Sequence, residues 1–341
     1  MWLVLGCLGA DAADSTVVKA QYDAITKEYD HNTRRRETAV RAKPDEVVAK
    51  IVALAEQHPK DPATEEALLW LQERFSRMKG MEKAGALLAS HFPVSKEYAD
   101  LVAAHHEAQQ NYFTETRQAK NGDEQIAAWE KFQGTGKAFV ELARKHPRHP
   151  AALRSLVFVT QRFHQLVNNE LVDMLGRDFI DRPQLAAVCP VLAYSVSSRA
   201  EVFLRAVLAR SPHREVKGQA ALTLGQLLLH EVNLTALSSA DAKHLESIYG
   251  REAVAQVRAR DAAHARAEGE KFLELAAGEY ADVEFWSGTV GGRAKAELFE
   301  LRELAVGKVA PEIEGEDVDG VKFKLSDYRG KVVVIDFWGD W

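Results

Sequence analysis

Residues 307–341 read GKVAPEIEGEDVDGVKFKLSDYRGKVVVIDFWGDW, and this stretch decides the reading of the chain. Glu312–Val318 and Val321–Leu325 are strand-like and flank Asp319-Gly320. That dipeptide suits a two-residue primed turn, whose central positions need positive φ, so a β-hairpin is expected. The run Lys331–Trp338 does not alternate. A continuous apolar strand expects cover on both faces, as at the centre of a parallel sheet. No later element of the sequence can pair with it. Left uncovered, Val332–Trp338 is an aggregation hazard, because it presents unpaired backbone groups beside Val, Ile, Phe and Trp side chains.

Gly307, Ala310-Pro311, Asp319-Gly320, Leu325-Ser326-Asp327, Arg329-Gly330-Lys331 and the Val332–Trp338 strand follow one another in a fixed order. Together they resemble the start of the thioredoxin-like redoxins of the AhpC/TSA and TlpA type, membrane-anchored or periplasmic thiol–disulfide oxidoreductases. In that family the strand runs into a Trp-Cys-x-x-Cys motif at the start of a helix. The resemblance implies that Gly339-Asp340-Trp341 is the approach to that motif and that Phe337, Trp338 and Trp341 flank it. The first redox cysteine is then expected directly after Trp341.

Redoxin chemistry needs a thiolate of lowered pKa and a resolving thiol beside it. The chain has two cysteines, Cys7 and Cys189, in no Cys-x-x-Cys pattern. No catalytic residue is therefore assigned within the chain, and dithiol activity is not expected of residues 1–341 alone. Three readings of the chain end stay open: a fragment, a selenocysteine codon read as a stop, or a true nonsense mutation.

At 341 residues and 46% apolar, the sequence can bury a substantial core and fill two or three domains. A formal charge of −6, with no basic stripe, argues against a nucleic-acid partner. No segment is long and apolar enough for a transmembrane span. Residues 1–12 are expected to be a signal peptide, clipped at its start, with Ala10-Asp11-Ala12 as the cleavage site. Val4-Leu5-Gly6-Cys7 resembles a lipoprotein box, which makes Cys7 a candidate lipidation site and lipid anchor. A periplasmic or otherwise extracytoplasmic location follows.

Residues 16–304 carry a helical period. Val47, Val48, Ile51, Val52, Leu54 and Ala55 are expected on one buried face, between Pro44-Asp45 and His58-Pro59. Pro62 opens the next helix, Ala63–Phe75. This pair recurs: Ile51–Phe75 and Phe139–Phe163 align at an offset of 88 with ten identities in 25 positions, including the turn His-Pro-x-x-Pro-Ala. A looser copy spans Phe203–Leu228 around Ser211-Pro212, and a degenerate one spans Phe272–Leu304. Further helices are expected over 101–112 and 125–132, broken at Asn121-Gly122-Asp123, and from Ala240 after Ser238-Ser239. The expected fold is therefore mostly α: an irregular, tetratricopeptide-like array of helical hairpins over 16–304. The first β-hairpin and central strand of a truncated thioredoxin-like α/β domain follow over 306–341.

Twelve histidines invite a metal search, but no Cys/His cluster or His-Glu-x-x-His is present, and His105-His106 diverge on a helix. No metal site and no cofactor are expected, and the histidines are read as structural. His58 and His146 are expected to cap carbonyls at helix ends. Cys189, in an Ala/Val/Leu setting before Pro190, reads as a buried, inert thiol. Arg34-Arg35-Arg36 reads as a solvated face. Gly288–Gly292 reads as a flexible turn with no strand before it. The function that the redoxin resemblance and the expected export signal imply is an exported redoxin that exchanges disulfides or reduces peroxides in its full-length form, with a protein client or redox partner. The alternative is a non-enzymatic helical scaffold; a third option is dimerisation by strand addition through Val332–Trp338.

Overall fold

The computed structural model describes residues 8–34, 43–76, 78–195 and 197–336. Cys7, Arg35-Arg36, Phe337, Trp338 and Trp341 lie outside them. The chain divides into two compact units, Met1–His213 and Arg214–Trp341. Both are mostly helical. No helix among the described residues is long and apolar enough to cross a membrane.

The first unit is built from the proline-marked helix pairs. Pro44, Asp45 and Glu46 start α2 (Pro44–Gln57), which follows α1 (Leu8–Arg34). At its end the His58 backbone N–H donates to the Leu54 carbonyl at 3.1 Å. The Asp61 carboxylate then accepts from the Ala63 N–H at 2.7 Å and starts α3 (Pro62–Phe75). The second copy repeats this construction between α6 (Gly122–Lys145) and α7 (Pro150–Arg162). There His146 N–H donates to Leu142 at 3.1 Å, and His149 Nδ1 accepts from Ala151 N–H at 3.1 Å. The caps at His58 and His146 are thus made by backbone rather than by imidazole. The side-chain cap falls to positions 61 and 149, where an acceptor can meet the orphan N–H groups of the next helix.

Between the copies run α4 (Met81–His91) and α5 (Pro93–Gln118). Asn121 caps α6 as expected from the Asn-Gly-Asp break. Neighbouring helices pack on one another, and α3 with α5 and α5 with α7 also touch. Ile51, Leu68, Leu71 and Leu88 form one core with Val18 and Tyr22 of α1. Phe139 and Phe158 stack at 4.5 Å in the next layer. A polar link joins these layers: Arg154 reaches Glu73 at 2.8 and 2.9 Å, and Tyr98 Oη donates to Glu73 at 2.8 Å. The unit closes with α8 (Asn169–Asp178), two 3₁₀ turns and α9 (Ser198–Arg210).

The second unit is organised on α10 (Arg214–Thr235) and α13 (Ala262–Gly278). Their axes approach where glycines face each other. A Cβ on Gly225 would lie 2.6 Å from Leu273 and 3.1 Å from the Gly269 carbonyl. Between them run α11 (Ser239–Tyr249), capped by Ser238, and α12 (Arg251–Arg258); α14 (Val290–Phe299) packs on α13.

Two expectations change here. The third hairpin copy is divided, because the unit boundary falls in its Ser-Pro turn: α9 packs on α8, and α10 on α13. A short strand does precede Gly288–Gly292. It is β1 (Glu284–Phe285), paired antiparallel with β2 (Gly288–Thr289), and Thr289 caps α14. A two-residue ladder with exposed glycine lies below what alternation in sequence can reveal.

Candidate functional site

The segment that carries the redoxin-like residues forms a hairpin. In it β3 (Glu314–Glu316) pairs antiparallel with β4 (Lys322–Lys324), with Gly315 opposite Phe323. A Cβ on Gly315 would come within 3.2 Å of the Phe323 ring, so the ring lies close against the bare glycine.

The turn differs from the expected two-residue primed form. Asp317 N–H donates to the Val321 carbonyl at 3.0 Å, leaving residues 318–320 as a three-residue loop. Gly320 alone takes positive φ, +79°. The Asp317 carboxylate accepts from the N–H groups of Asp319 and Val321, both at 2.9 Å. An aspartate that satisfies two turn amides favours this loop over a symmetrical one.

After β4, Leu325–Tyr328 makes a 3₁₀ turn. Asp327 accepts from Lys324 N–H at 2.9 Å, and Glu312 accepts from Ser326 N–H at 3.0 Å and Ile313 N–H at 3.2 Å. The bonds from Ser326 hold the Glu312 carboxyl below its ordinary value. Leu325 N–H also donates to the Ile313 carbonyl at 2.9 Å. Gly330, at φ +85°, turns the chain outward, and Lys331 N–H closes on Tyr328 at 3.1 Å. Glu312, Asp317 and Asp327 are thus backbone anchors of the segment, a role the alternation pattern did not single out. Of the three, only Asp317, directly before the 318–320 loop, stands at the start of a turn in sequence.

Residues 332–336 form no strand, contrary to expectation. Val332 is 96% exposed and Val334 89%, whereas Val333 and Ile335 are 43% and 47% exposed. The physical reason is pairing. A strand is stabilised by ladder bonds to a neighbour, and no neighbour is present among the described residues.

The cysteine chemistry within the described residues rests on Cys189. It opens a 3₁₀ turn, is fully buried, and desolvation pushes its thiol up to about 12. A thiol held protonated at neutral pH is neither nucleophile nor ligand, so this is the inert cysteine its surroundings in sequence predicted. No group of three or more His, Cys, Asp or Glu residues suited to a metal ion occurs among the described residues. His105 is packed against Phe132, Phe158 and Phe163. Burial, with the nearby Arg162 and His106, lowers its pKa to about 4. The motif-flanking Phe337, Trp338 and Trp341 and the candidate lipidation site Cys7 fall outside the described residues.

No protein-family model matches the chain, and no solved structure matches it. Curated relatives match over a short stretch. The thiol-disulfide oxidoreductase ResA of Geobacillus kaustophilus is 48% identical over 42 residues, 12% of this chain and 24% of that protein. ResA of Geobacillus thermodenitrificans is 45% identical over 42 residues, with the same coverage. ResA of Bacillus cereus is 39% identical over 56 residues, 16% of this chain and 32% of the relative. The chain thus spans about a quarter to a third of these relatives, and over that stretch it is similar to the thioredoxin-like redoxins the C-terminal motifs resemble.

Proposed function

We propose that the protein is an exported thioredoxin-like redoxin that exchanges disulfides with a protein client, residues 306–341 being the opening of its redox domain. The observation that carries this reading is the similarity to ResA oxidoreductases over 42 to 56 residues. The exposed apolar run 332–335, beside an ordered hairpin, supports it, because such a run gains most of its stability from strands packed on either side. In this reading the helical body, residues 16–304, is a tetratricopeptide-like hairpin array that docks the client or orients the redox domain. The redox pair follows Trp341, with Phe337, Trp338 and Trp341 shaping its access. Residues 1–12 direct export, with Cys7 as a lipid anchor. The 341-residue chain alone has no paired thiols and is inactive in disulfide exchange.

The test is the nucleotide sequence following the Trp341 codon in the source genome. Cysteine or a selenocysteine codon, two residues and a second cysteine are expected. A reading frame that continues or closes without that pattern defeats the proposal and leaves a helical scaffold that binds a protein partner.

A further inference from the structure

The two copies of the hairpin turn close their second helix with different chemistry. In the first, the Asp61 carboxylate accepts from the Ala63 N–H at 2.7 Å. In the second an imidazole takes that place, His149 Nδ1 accepting from the Ala151 N–H at 3.1 Å. A neutral imidazole accepts through one nitrogen only, so this cap fixes the ring proton on Nε2. That nitrogen lies 3.7 Å from Oε1 of Glu65 on α3. The Glu65 side chain is buried and accepts from the Ser95 hydroxyl of α5.

Adding a proton reverses both contacts. An N–H at Nδ1 faces the Ala151 N–H, so the acceptor is lost and two donors oppose each other. The imidazolium also stands at the positive end of the α7 dipole, where a cation is repelled. The Glu65 carboxylate, by contrast, gains a charged partner. The Asp61 cap of the first copy has no nitrogen to protonate.

Strain is stored in the same turn. Arg148, directly before His149, takes φ +65°, the one positive φ outside glycine among the described residues and disfavoured for a side chain. Its guanidinium reaches Asp178 of α8 at 3.6 Å. The charged and titratable groups around the ring are Glu65 from α3, His146 at the end of α6, and Arg148 with Asp178. Glu97 of α5 lies 4.0 Å from His146. Burial lowers the His149 pKa, opposed by Glu65 and reinforced by His146, so the capping form holds at neutral pH.

We propose that the 146–150 turn is an acid-operated latch: the neutral His149 ring holds the first turn of α7, and the imidazolium releases it and pairs with Glu65 of α3. The proposal does not depend on the redox reading. The test is NMR on the full 341-residue chain. It reads the His149 ring nitrogens and the exchange protection of the Ala151 amide, relative to an unstructured amide, between about pH 7 and pH 4.5. His149→Asn assigns the ring signals. His149→Asp and Glu65→Gln are the comparisons, and coincident melts at neutral pH would show that they fold.

A neutral ring protonated at Nε2 is expected at neutral pH. As the ring titrates, Ala151 protection should fall about tenfold through loss of one cap, and stay constant in His149→Asp. Glu65→Gln should move the titration to lower pH, because the carboxylate no longer favours the cation. An Nδ1–H tautomer at neutral pH, a ring that does not titrate in this range, or an equal fall in His149→Asp would overturn the proposal. So would an unchanged or raised titration midpoint in Glu65→Gln.

Discussion

Cys189 and His105 show what burial does to reactive side chains in this chain. With its thiol pushed up to about 12, Cys189 should resist a thiol reagent such as dithionitrobenzoate in native buffer and react fully in denaturant. Rapid native labelling would contradict its placement. His105 has the opposite sign of shift. Its folded-state pKa of about 4 lies below the ordinary imidazole value of 6.5. Between those values the unfolded chain therefore binds more protons than the folded one, and stability falls as pH is lowered through the window, levelling off below about 4. Burial lowers His149 and His230 in the same direction. Urea midpoints measured from pH 7 to pH 4 should fall, and His105→Phe should flatten the decline. The neighbours of Cys189 in sequence already announced burial. The cap at His149 was not legible there, because an imidazole standing where the first copy has Asp61 matches it in geometry and not in residue type.

At the scale of elements, proline and apolar spacing were enough to place the helix pair 44–57 with 62–75 and the start of 150–162, whereas the helix expected over 125–132 and the first arm of the Phe139 copy are one continuous helix, α6. Which helices pack was less legible, since Ser211-Pro212 looks the same inside a hairpin as between two units. The 332–336 run shows the limit most clearly. Its β-propensity is high, but pairing is a property of the neighbour, and propensity alone does not make a strand. Helix α6 offers a local test through two glycines two residues apart. Gly134 faces open space, and Gly134→Ala should stabilise by about 0.5–1 kcal/mol through helix propensity. A Cβ on Gly136 would lie 2.7 Å from Leu166 and 2.8 Å from Phe163, so Gly136→Ala should destabilise by about 1–3 kcal/mol. Opposite shifts in urea midpoint are expected. Shifts of the same sign would mean that α6 does not present Gly136 to Phe163.

Across the first unit, the Glu73–Arg154–Tyr98 link ties α3, α5 and α7 through partly buried polar groups, where hydrophobic contact alone would leave the register of the stack less defined. Arg154→Met should cost about 2–4 kcal/mol by stranding the Glu73 carboxylate. Adding Glu73→Gln should restore part of that loss, and strictly additive unfolding energies would contradict the link. The whole molecule joins a helical body to a C-terminal segment similar to redoxins, and the function proposed for it is catalytic. The most direct measurement is dithiothreitol-dependent insulin reduction by the polypeptide isolated from its source, run beside residues 1–341 expressed alone. Turnover by the isolated protein and none by residues 1–341 is expected. Turnover by neither, or by both alike, would contradict the proposed function.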